Sequence, residues 1–553
     1  MFNLCSAGLV AVLAAKESQA ALYHINTRAD DDSGLPESFV SFSIELSSFV
    51  DYAGNLRHTP NAFSYNLLRN LGNLMGSKPY VRVGGNTQDY ALYNASLKEA
   101  INGTYDPNKS KDYPTTIYIW GLSYNTRPGV KFSDGFNLAK GAVGAAGWET
   151  LERTAALACK ALSNDNLDAW EYGYQRNNYP NSAQGPTRPR GWSARDVADE
   201  WLNGTRGINK QIQKHCPELA DFGFMAPSYD DRVSNLNATQ AWGYGLDKYG
   251  SVRLYSVHNY IDGATSPAVT LQGTLVNHSR TIRDVDEQVA EYKRTMSTNK
   301  AVTNHATPHL LGETNSLYFQ SVGFNLYSAS AGFKRVYIHQ GIDYRVSTFY
   351  LLFPTTQNLL YHRALNYTRL QQYQAFQPID TNKTSKGTKA PYYGSIGVAA
   401  ALGDLTKSSV SVSPIPMLSD QEAAYAIFER GNLKRLMVIN MHRYNTTKDG
   451  AGTEPLPNPP GRMNRGFSFA ARNLARDVSI REQRLMTNGS DAITGVTFDE
   501  WSYNWELDNG KPVRLDNIAT GETFRSKQGV ITVMVPDSSA TLLHLEQDGG
   551  GGS

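Results

Sequence analysis

The sequence predicts a (β/α)₈ barrel followed by an all-β module, and three observations support this fold class. The chain has 553 residues, which suits a barrel and a second domain. Between about Ser41 and Val398, short apolar or β-branched runs alternate with amphipathic segments, as in repeated strand–helix units. After about Gly403 the helical periodicity stops, and apolar runs separated by Gly, Asn and Pro predict a β-sandwich.

Seven apolar runs are candidate barrel strands, and amphipathic segments between them are candidate helices. The runs are Phe42–Ile44, Tyr80–Val83, Trp170–Gly173, Phe222–Ala226, Leu254–Val257, Leu310–Gly312 and Val336–His339. By their positions they leave the third strand of an eight-stranded barrel unassigned. Helical periodicity appears in Phe63–Met75, Trp148–Leu162 and Val197–Ile212, and Gly76 is the predicted stop of the first helix.

The C-terminal module is predicted from strand-like runs separated by turn residues. The runs are Ala424–Phe428, Leu436–Asn440, Ile493–Phe498 and Val530–Val535, and Ala21–Asn26 is a candidate additional strand of the module. These patterns predict a barrel domain at residues 21–402 and a sandwich domain at 403–547. Residues 548–553 are rich in glycine, which indicates a flexible linker added by engineering.

Two features predict a secreted, extracellular glycoprotein. Residues 1–20 contain an apolar run, Ala7–Ala15, followed by small residues. This pattern resembles a signal peptide, although the positively charged N-terminal region of such peptides is missing. Asn-x-Ser/Thr sequons are dense, as in a eukaryotic glycoprotein. They begin at Asn94, Asn102, Asn108, Asn203, Asn237, Asn277, Asn366, Asn382, Asn445 and Asn488. No stretch is long and apolar enough to span a bilayer, so we expect a soluble mature protein.

Charge and cysteine content limit the partners that we expect. The net charge of +2 gives no bulk signal for nucleic acid or membrane lipid. Apart from Cys5 in the leader, only Cys159 and Cys216 are present. The sequence leaves two alternatives for this pair, one disulfide or two free buried thiols. No metal-ligand spacing or cofactor motif occurs, so we expect neither a metal nor a cofactor. The oligomeric state is left open.

Polar residues stand where the candidate strands end, and active sites of such barrels lie at the carboxyl ends of the strands. These residues are Glu45, Asn86, Gln88, Asp89, Tyr174, Gln175, His258, Asn259, Tyr260, Glu313, His339 and Gln340. Glu313 is the sharpest candidate because it follows an apolar run and a glycine. A retaining glycosidase uses two carboxyl groups about 5–5.5 Å apart, one as nucleophile and one as acid. An ion pair at the rim is the alternative role for Glu313.

Four motifs carry a resemblance to a known family. They are Val-Arg-Val-Gly-Gly-Asn-Thr-Gln-Asp (81–89), Ser-Val-His-Asn-Tyr (256–260), Leu-Gly-Glu-Thr-Asn-Ser-Leu-Tyr (311–318) and Lys-Ala-Pro-Tyr-Tyr-Gly (389–394). In order and spacing they resemble the fungal β-glucuronidases of glycoside hydrolase family 79, which also includes heparanase. The resemblance extends over roughly residues 21–547. It implies a carbohydrate or glycoside ligand, and a glucuronide in particular.

The resemblance also implies roles for single residues. Glu313 would be the nucleophile, supported by Tyr260. Among further substrate-binding positions, Glu45 and Asn86 would contact sugar hydroxyls, and Tyr174 occupies a position where the family contacts the 2-hydroxyl. Tyr318 and Tyr344 would help to hold the glucuronate carboxylate.

The chain departs from the family at the position of the catalytic acid. Where the family reads Gly-Asn-Glu-Pro, this chain reads Gly173-Tyr174-Gln175-Arg176. Glutamine has nearly the shape of glutamate but no titratable proton, and general acid–base catalysis contributes about 10²–10⁴-fold. Replacing the Asn removes a hydrogen bond that strengthens in the transition state.

Further departures cluster at the predicted barrel mouth. They include Leu46-Ser47-Ser48, the loop 228–232, a shortened loop after Tyr318 and an insertion at 347–373. This concentration indicates remodelling, either by engineering or in a natural pseudoenzyme. Three hypotheses follow: an impaired retaining β-glucuronidase, a silent barrel that binds a ligand, and other chemistry with Glu313 as a base. The third would need burial to raise the pKa of Glu313, with new groups such as Asp230, Asp231 or His362.

Overall fold

The computed structural model describes the chain in sixteen stretches. They are residues 21–30, 33–54, 59–109, 114–120, 129–182, 184–230, 236–261, 274, 276–298, 307–315, 318–343, 374–448, 454–471, 474, 477–492 and 495–546. The predicted leader, the insertion 347–373, the 548–553 linker, Tyr344, Asp231 and His362 lie outside the described residues. Within them, no helix combines the length and apolarity needed to cross a membrane.

Eight parallel strands close a barrel, which confirms the predicted fold class. In chain order the first twelve strands are β1 (Ala21–Ile25), β2 (Val40–Glu45), β3 (Val81–Gly84), β4 (Ala91–Tyr93), β5 (Ile101–Thr104), β6 (Thr116–Ile119), β7 (Phe132–Phe136), β8 (Leu167–Tyr172), β9 (Phe224–Asp230), β10 (Val252–Asn259), β11 (His309–Thr314) and β12 (Val336–Gln340). The barrel consists of β2, β3 and β7–β12 in that order, with β12 closing onto β2. Each of the seven predicted runs overlaps one of these eight strands.

The third barrel strand, β7, is the one that the sequence pattern did not reveal. Its residues Phe-Ser-Asp-Gly-Phe contain too few apolar positions to form a recognisable run. The structure explains the glycine, because a Cβ at Gly135 would lie 2.1 Å from Oε1 of the buried Gln88 side chain. A larger residue at that position would therefore displace the side chain that fills the barrel interior.

Helices surround the barrel, and the three predicted ones are confirmed. The helices are α1 (Phe49–Ala53), α2 (Ala62–Met75), α3 (Gly144–Leu162), α4 (Ala194–His215), α5 (Ala238–Gly243), α6 (His278–Thr298), α7 (Tyr318–Ser330), α8 (Ala390–Leu402) and α9 (Trp505–Asp508). The Asn61 side chain caps α2 by accepting from the N–H groups of Phe63 and Ser64. Gly76 ends that helix with φ +80°, as predicted.

Cys159, near the end of α3, and Cys216, just after α4, form a disulfide. Of the two possibilities that the sequence left open, the disulfide is the one observed. It joins two helices that are neighbours on the outside of the barrel and that are separated by β8 along the chain.

The C-terminal part is a sandwich of two sheets. After the short hairpin of β13 (Phe376–Gln377) and β14 (Gly387–Thr388), its strands are β15 (Val410–Ile415), β16 (Glu422–Glu429), β17 (Asn432–Asn440), β18 (Asn464–Ala471), β19 (Ser479–Met486), β20 (Thr497–Phe498), β21 (Trp501–Ser502), β22 (Val513–Arg514), β23 (Thr523–Arg525), β24 (Val530–Pro536) and β25 (Ser539–Glu546). Strands β1, β18 and β24 form the smaller sheet, with β1 parallel to β18. In the predicted strand 493–498, only Thr497–Phe498 is strand among the described residues.

A small sheet stands at the mouth of the barrel, between β3 and β7. Its strand order is β4-β6-β5, and β5 and β6 are antiparallel. Ile117 and Ile119 of β6 are buried against Leu46, which directly follows β2, and against Tyr90. This packing fixes the small sheet to the loops that follow the first two barrel strands.

Candidate active site

Glu313 lies in the last part of β11 and is fully buried. Its Oε1 accepts hydrogen bonds from the hydroxyls of Tyr174, at 2.7 Å, and of Tyr260. Its Oε2 lies 2.9 Å from Nη1 of Arg82 and 3.4 Å from Nδ1 of His339. Both carboxylate oxygens are therefore held by side chains from other barrel strands and the loops that follow them.

These neighbours keep Glu313 ionised. Burial by itself would raise the pKa of Glu313, but the charges around it, His339 first, lower the pKa to about 2. A carboxylate with this pKa remains an anion at neutral and mildly acid pH. It has the protonation state that a nucleophile requires and is poorly suited to act as a general acid or base.

Arg82 connects Glu313 to a second buried carboxylate, that of Glu171 in β8. Its Nη2 lies 2.7 Å from Glu171 Oε2, and its Nη1 also donates to Ser43 Oγ at 2.7 Å. Burial would lower the pKa of Arg82, but Glu171 and Glu313 raise it above its usual range. The guanidinium thus offsets two carboxylates inside the barrel, where an unpaired charge is costly.

Glu45, at the end of β2, forms the adjacent part of the site. Its Oε1 accepts from the backbone N–H of Thr87 at 2.7 Å and from the Thr87 hydroxyl. Its Oε2 lies 3.4 Å from Nε2 of His339, so that this imidazole stands between Glu45 and Glu313. The carboxylate also requires a glycine beside it, because a Cβ at Gly85, whose φ is +86°, would lie 2.5 Å from Oε2.

Gln175 follows β8 in a left-handed backbone conformation, with φ +39°. Its Nε2 lies 3.2 Å from Nδ1 of His258, and its Oε1 accepts from Asn178 Nδ2 at 3.4 Å. An amide nitrogen only donates, so Nδ1 of His258 accepts and the ring proton lies on Nε2. Burial lowers the pKa of His258 to about 3, and the imidazole is therefore neutral. No carboxyl group stands at the position of Gln175.

Asp89 holds the backbone on which Tyr174 and Gln175 stand. Its Oδ2 accepts from the Tyr174 N–H at 2.9 Å and from the Tyr179 hydroxyl at 2.6 Å. Its Oδ1 accepts from the N–H of Leu138 at 2.9 Å. Burial raises the pKa of Asp89 to about 6, although these hydrogen bonds act in the opposite direction. Asp89 is thus a positioning group below the mouth.

The structure brings most of the sequence-predicted residues together and leaves some undescribed. Asn86 is half-buried in the turn after β3, and Asn259 is buried at the end of β10. Gln340 accepts at its Oε1 from the backbone N–H of Ala375, directly before β13, at 2.8 Å. The side chain of Tyr318 and the whole of Tyr344 lie outside the described residues. The roles of both tyrosines toward the glucuronate carboxylate therefore stay predictions.

Comparison with known proteins gives the family. The profile described as the glycosyl hydrolase family 79 C-terminal beta domain matches residues 424–542. A β-glucuronidase of Neurospora crassa is 46% identical over 535 residues, which cover 89% of each chain. A β-glucuronidase of Aspergillus niger is 42% identical and covers 94% of this chain and 93% of its own. The chain belongs to glycoside hydrolase family 79. The predicted resemblance is confirmed.

Solved structures agree with the fold of this family 79 chain. The 4-O-α-L-rhamnosyl-β-D-glucuronidase of Fusarium oxysporum superposes with a TM-score of 0.67 at 20% identity, covering 95% of this chain and 100% of its own. A family 51 α-L-arabinofuranosidase of Bifidobacterium longum gives 0.54 at 9% identity, covering 95% and 99%. At these identities the likeness concerns the barrel-and-sandwich architecture.

Two central residues of this candidate site were not identified from the sequence. Arg82 and Glu171 stand inside strands, at Val-Arg-Val and Trp-Glu-Tyr, and were not singled out as candidates. A charged residue within an apolar strand is itself a signal, because burial of an unpaired charge is costly and demands a partner. Two such residues with opposite charges, on different barrel strands, would have suggested the pair that the structure contains.

Proposed function

We propose that the chain is a retaining β-glucuronidase-type hydrolase in which Glu313 is the nucleophile and hydrolysis is impaired by Gln175. The observation that carries the proposal is the contrast between these two positions. Glu313 is an anion held by Arg82 and two tyrosine hydroxyls, whereas Gln175 presents an amide near the same site. The carboxylate that nucleophilic attack requires is present at position 313, but position 175 provides no acid to protonate the leaving group.

The β-glucuronidases of Neurospora crassa and Aspergillus niger support a glucuronide as the substrate class. We therefore propose a carbohydrate ligand whose anomeric carbon approaches Glu313. Glu45 ends β2 and Asn86 follows β3, which are the two strands beyond β12 in the barrel order, and Tyr260 follows β10 on the other side of β11. These positions suit contacts with sugar hydroxyls from two sides of the nucleophile.

One contact favours a second candidate function, that of a catalytically silent barrel which binds a ligand. The Tyr174 ring lies 5.1 Å from the His258 ring, and the Tyr174 hydroxyl donates a hydrogen bond to Oε1 of Glu313. Tyr174 replaces a smaller asparagine of the family, so its phenol takes up space beside the nucleophile. A sugar that reaches Glu313 has to displace this side chain.

The third hypothesis, in which Glu313 acts as a general base, needed a raised pKa. That expectation is wrong, because the pKa of Glu313 is lowered to about 2. Burial acts in the expected direction, but the neighbouring groups, His339 first, outweigh it. A base with this pKa has little affinity for a proton at neutral pH, and we do not propose this chemistry.

The test is restoration of the acid. We expect Gln175→Glu to raise kcat/KM for aryl glucuronides with poor leaving groups by about 10²–10⁴-fold, because such groups need protonation to depart. Substrates with good leaving groups should respond much less. Addition of Glu313→Gln to this variant should abolish the recovered activity. If the unaltered chain already cleaves poor leaving groups as fast as the variant, another residue supplies the proton and the proposal fails.

A second substitution separates the space occupied by Tyr174 from its hydrogen bond. Tyr174→Asn in the Gln175→Glu background should raise kcat/KM further, whereas Tyr174→Phe, which keeps the ring, should not. If neither double variant hydrolyses any glucuronide and both still bind one in calorimetric titrations, the silent barrel is the better description.

Secretion and N-glycosylation also remain proposals. They rest on the apolar run in residues 1–20 and on the sequon density. Expression in a fungal host should place the protein in the medium, and an endoglycosidase should reduce its apparent mass. An unchanged mass would remove the glycoprotein proposal.

A further inference from the structure

The small sheet at the barrel mouth has one buried and one exposed face. Side chains alternate along β6, so Ile117 and Ile119 point into the packed cluster while Tyr118 points away from it. Trp120 follows in the same alternation and donates its backbone N–H to Ala100 O at 3.0 Å. The exposed fractions of Tyr118 and Trp120 are 37% and 47%. Two large aromatic side chains thus stand together on the solvent side.

A glycosylation sequon lies directly opposite this aromatic pair. Asn102, in the sequon Asn102-Gly103-Thr104, is the ladder partner of Tyr118, and both Asn102 and Thr104 are exposed. Opposite residues in an antiparallel pair have Cβ atoms about 5 Å apart, and diagonal neighbours such as Trp120 are about 7–8 Å away. Asn102 and Tyr118 therefore project from the same face within reach of one monosaccharide.

The position of β5 adds an independent reason for a cover. Within the part of the chain that the structure describes, β5 is an edge strand in the order β4-β6-β5, paired with β6 on one side. Native proteins protect such edges, because an open edge beside apolar side chains promotes aggregation. A bulky polar group on Asn102 would cover both the edge and the aromatic pair.

We propose that Asn102 carries an N-linked glycan whose first N-acetylglucosamine packs on Tyr118 and whose core extends over Trp120. In the modification, the Asn102 amide nitrogen forms a bond to C1 of the sugar of a lipid-diphosphate-linked oligosaccharide. The C1–oxygen bond to the diphosphate breaks, the lipid diphosphate leaves with the bonding electrons, and the amide nitrogen loses one proton. No oxidation or reduction occurs. The inference rests on the proposed secretion of the chain.

The packing follows from the chemistry of the two surfaces. One face of a pyranose ring presents C–H groups, and an aromatic ring presents an apolar, electron-rich face of similar size. The glycan thereby covers apolar surface that would otherwise face water, while its hydroxyls remain solvated. This is a different role from that of the sequon Asn382-Lys383-Thr384 in the turn between β13 and β14, in which Asn382 is exposed.

The experiment uses the full chain secreted from a fungal host and two variants of the sequon. Thr104→Ala removes the sequon and leaves Asn102 in place, whereas Thr104→Ser keeps it and serves as the matched control. Glycopeptide mass spectrometry measures the occupancy of Asn102, with Asn382 as the reference site. Hydroxyl-radical footprinting then measures the oxidation rates of Tyr118 and Trp120 in each protein.

We expect Asn102 to be occupied in the unaltered chain and in Thr104→Ser. Oxidation of Tyr118 and Trp120 should be roughly twofold faster in Thr104→Ala, because a sugar shields about one face of each ring. Occupied Asn102 with unchanged oxidation rates would overturn the packing. Empty Asn102 beside an occupied Asn382 would overturn the whole inference. If every sequon of the secreted chain is empty, the general proposal of N-glycosylation fails together with it, and the two failures are thereby distinguished.

Discussion

Glu313 and Asp89 are both buried carboxylates below the barrel mouth, and each accepts a hydrogen bond from a tyrosine hydroxyl. Their pKa values nevertheless move in opposite directions, to about 2 for Glu313 and to about 6 for Asp89. Glu313 lies beside His339 and contacts the guanidinium of Arg82, whereas the partners of Asp89 are backbone N–H groups and the neutral phenol of Tyr179. The charge of the neighbours, and not burial or hydrogen bonding alone, makes the difference.

The comparison extends to the two sides of the site. The side formed by β11 and β3 is built around the ion pair of Glu313 with Arg82. The side formed by the loop after β8 contains Gln175, the neutral His258 and the buried Arg176, whose Nη2 donates to the Pro227 carbonyl at 2.7 Å. The amide of Gln175 contacts neutral groups, the His258 imidazole and the Asn178 amide. Replacing Glu313 by glutamine would instead leave Arg82 with one carboxylate fewer.

The largest effect should come from Arg82→Met, which leaves Glu171 and Glu313 buried without their cation. We expect the free energy of unfolding at pH 7 to fall by about 3–5 kcal/mol, measured by urea denaturation. Arg335→Met is the matched control, because Arg335 pairs with the single carboxylate of Asp168 at 2.8 Å. If the control loses as much stability as Arg82→Met, the double pairing of Arg82 has no special importance.

The next effect concerns the pH dependence of stability through Glu313. Its pKa is lowered from 4.5 to about 2 on folding, so its contribution is present above the unfolded pKa and is lost as pH falls toward 2. At about 1.4 kcal/mol per pKa unit, the contribution is on the order of 3 kcal/mol. The stability difference between the unaltered chain and Glu313→Gln should shrink by that amount between pH 5 and 2. A constant difference would contradict the lowered pKa.

The pH dependence of stability that comes from Asp89 should have the opposite sign and a slightly smaller size. Its pKa is raised from 3.8 to about 6 on folding, so the stability it contributes below pH 4 is lost as pH rises through 6. The loss is on the order of 2–3 kcal/mol. In Asp89→Asn this decline between pH 4 and 6 should be absent, as judged from urea midpoints at several pH values. A decline that persists in the variant would assign it to another group.

The smallest effect should come from Gln175→Ala. Gln175 is half-buried and its two side-chain contacts are long, at 3.2 and 3.4 Å, so we expect a loss of less than about 1 kcal/mol at pH 7. The result sharpens the comparison, because a loss as large as that of Arg82→Met would show that the β8 side is not the tolerant one. Thermal unfolding of the two variants in one buffer provides the measurement.

Much of the site was predictable because it follows the strand ends. Glu45, Glu313 and His339 stand where apolar runs stop, and parallel barrel strands bring such residues to one mouth. The third barrel strand was missed because its interior positions are small, with Gly135 making room for Gln88. Hydrophobic periodicity shows only which side chains of a single element are buried. In β7 a side chain from another element fills the space at Gly135, so the apolar pattern of a strand is missing.

The sequence by itself determined the class of architecture, the family motifs and the absence of a carboxyl group at position 175. These are local properties, because a strand, a motif or a missing proton can be recognised without its neighbours. Only the tertiary structure decided that Arg82 joins Glu171 to Glu313, that Tyr174 bonds to Glu313, and that Asp89 and Glu313 differ in pKa. Those properties depend on which groups the closed barrel brings within about 4 Å, where electrostatic interactions are strongest.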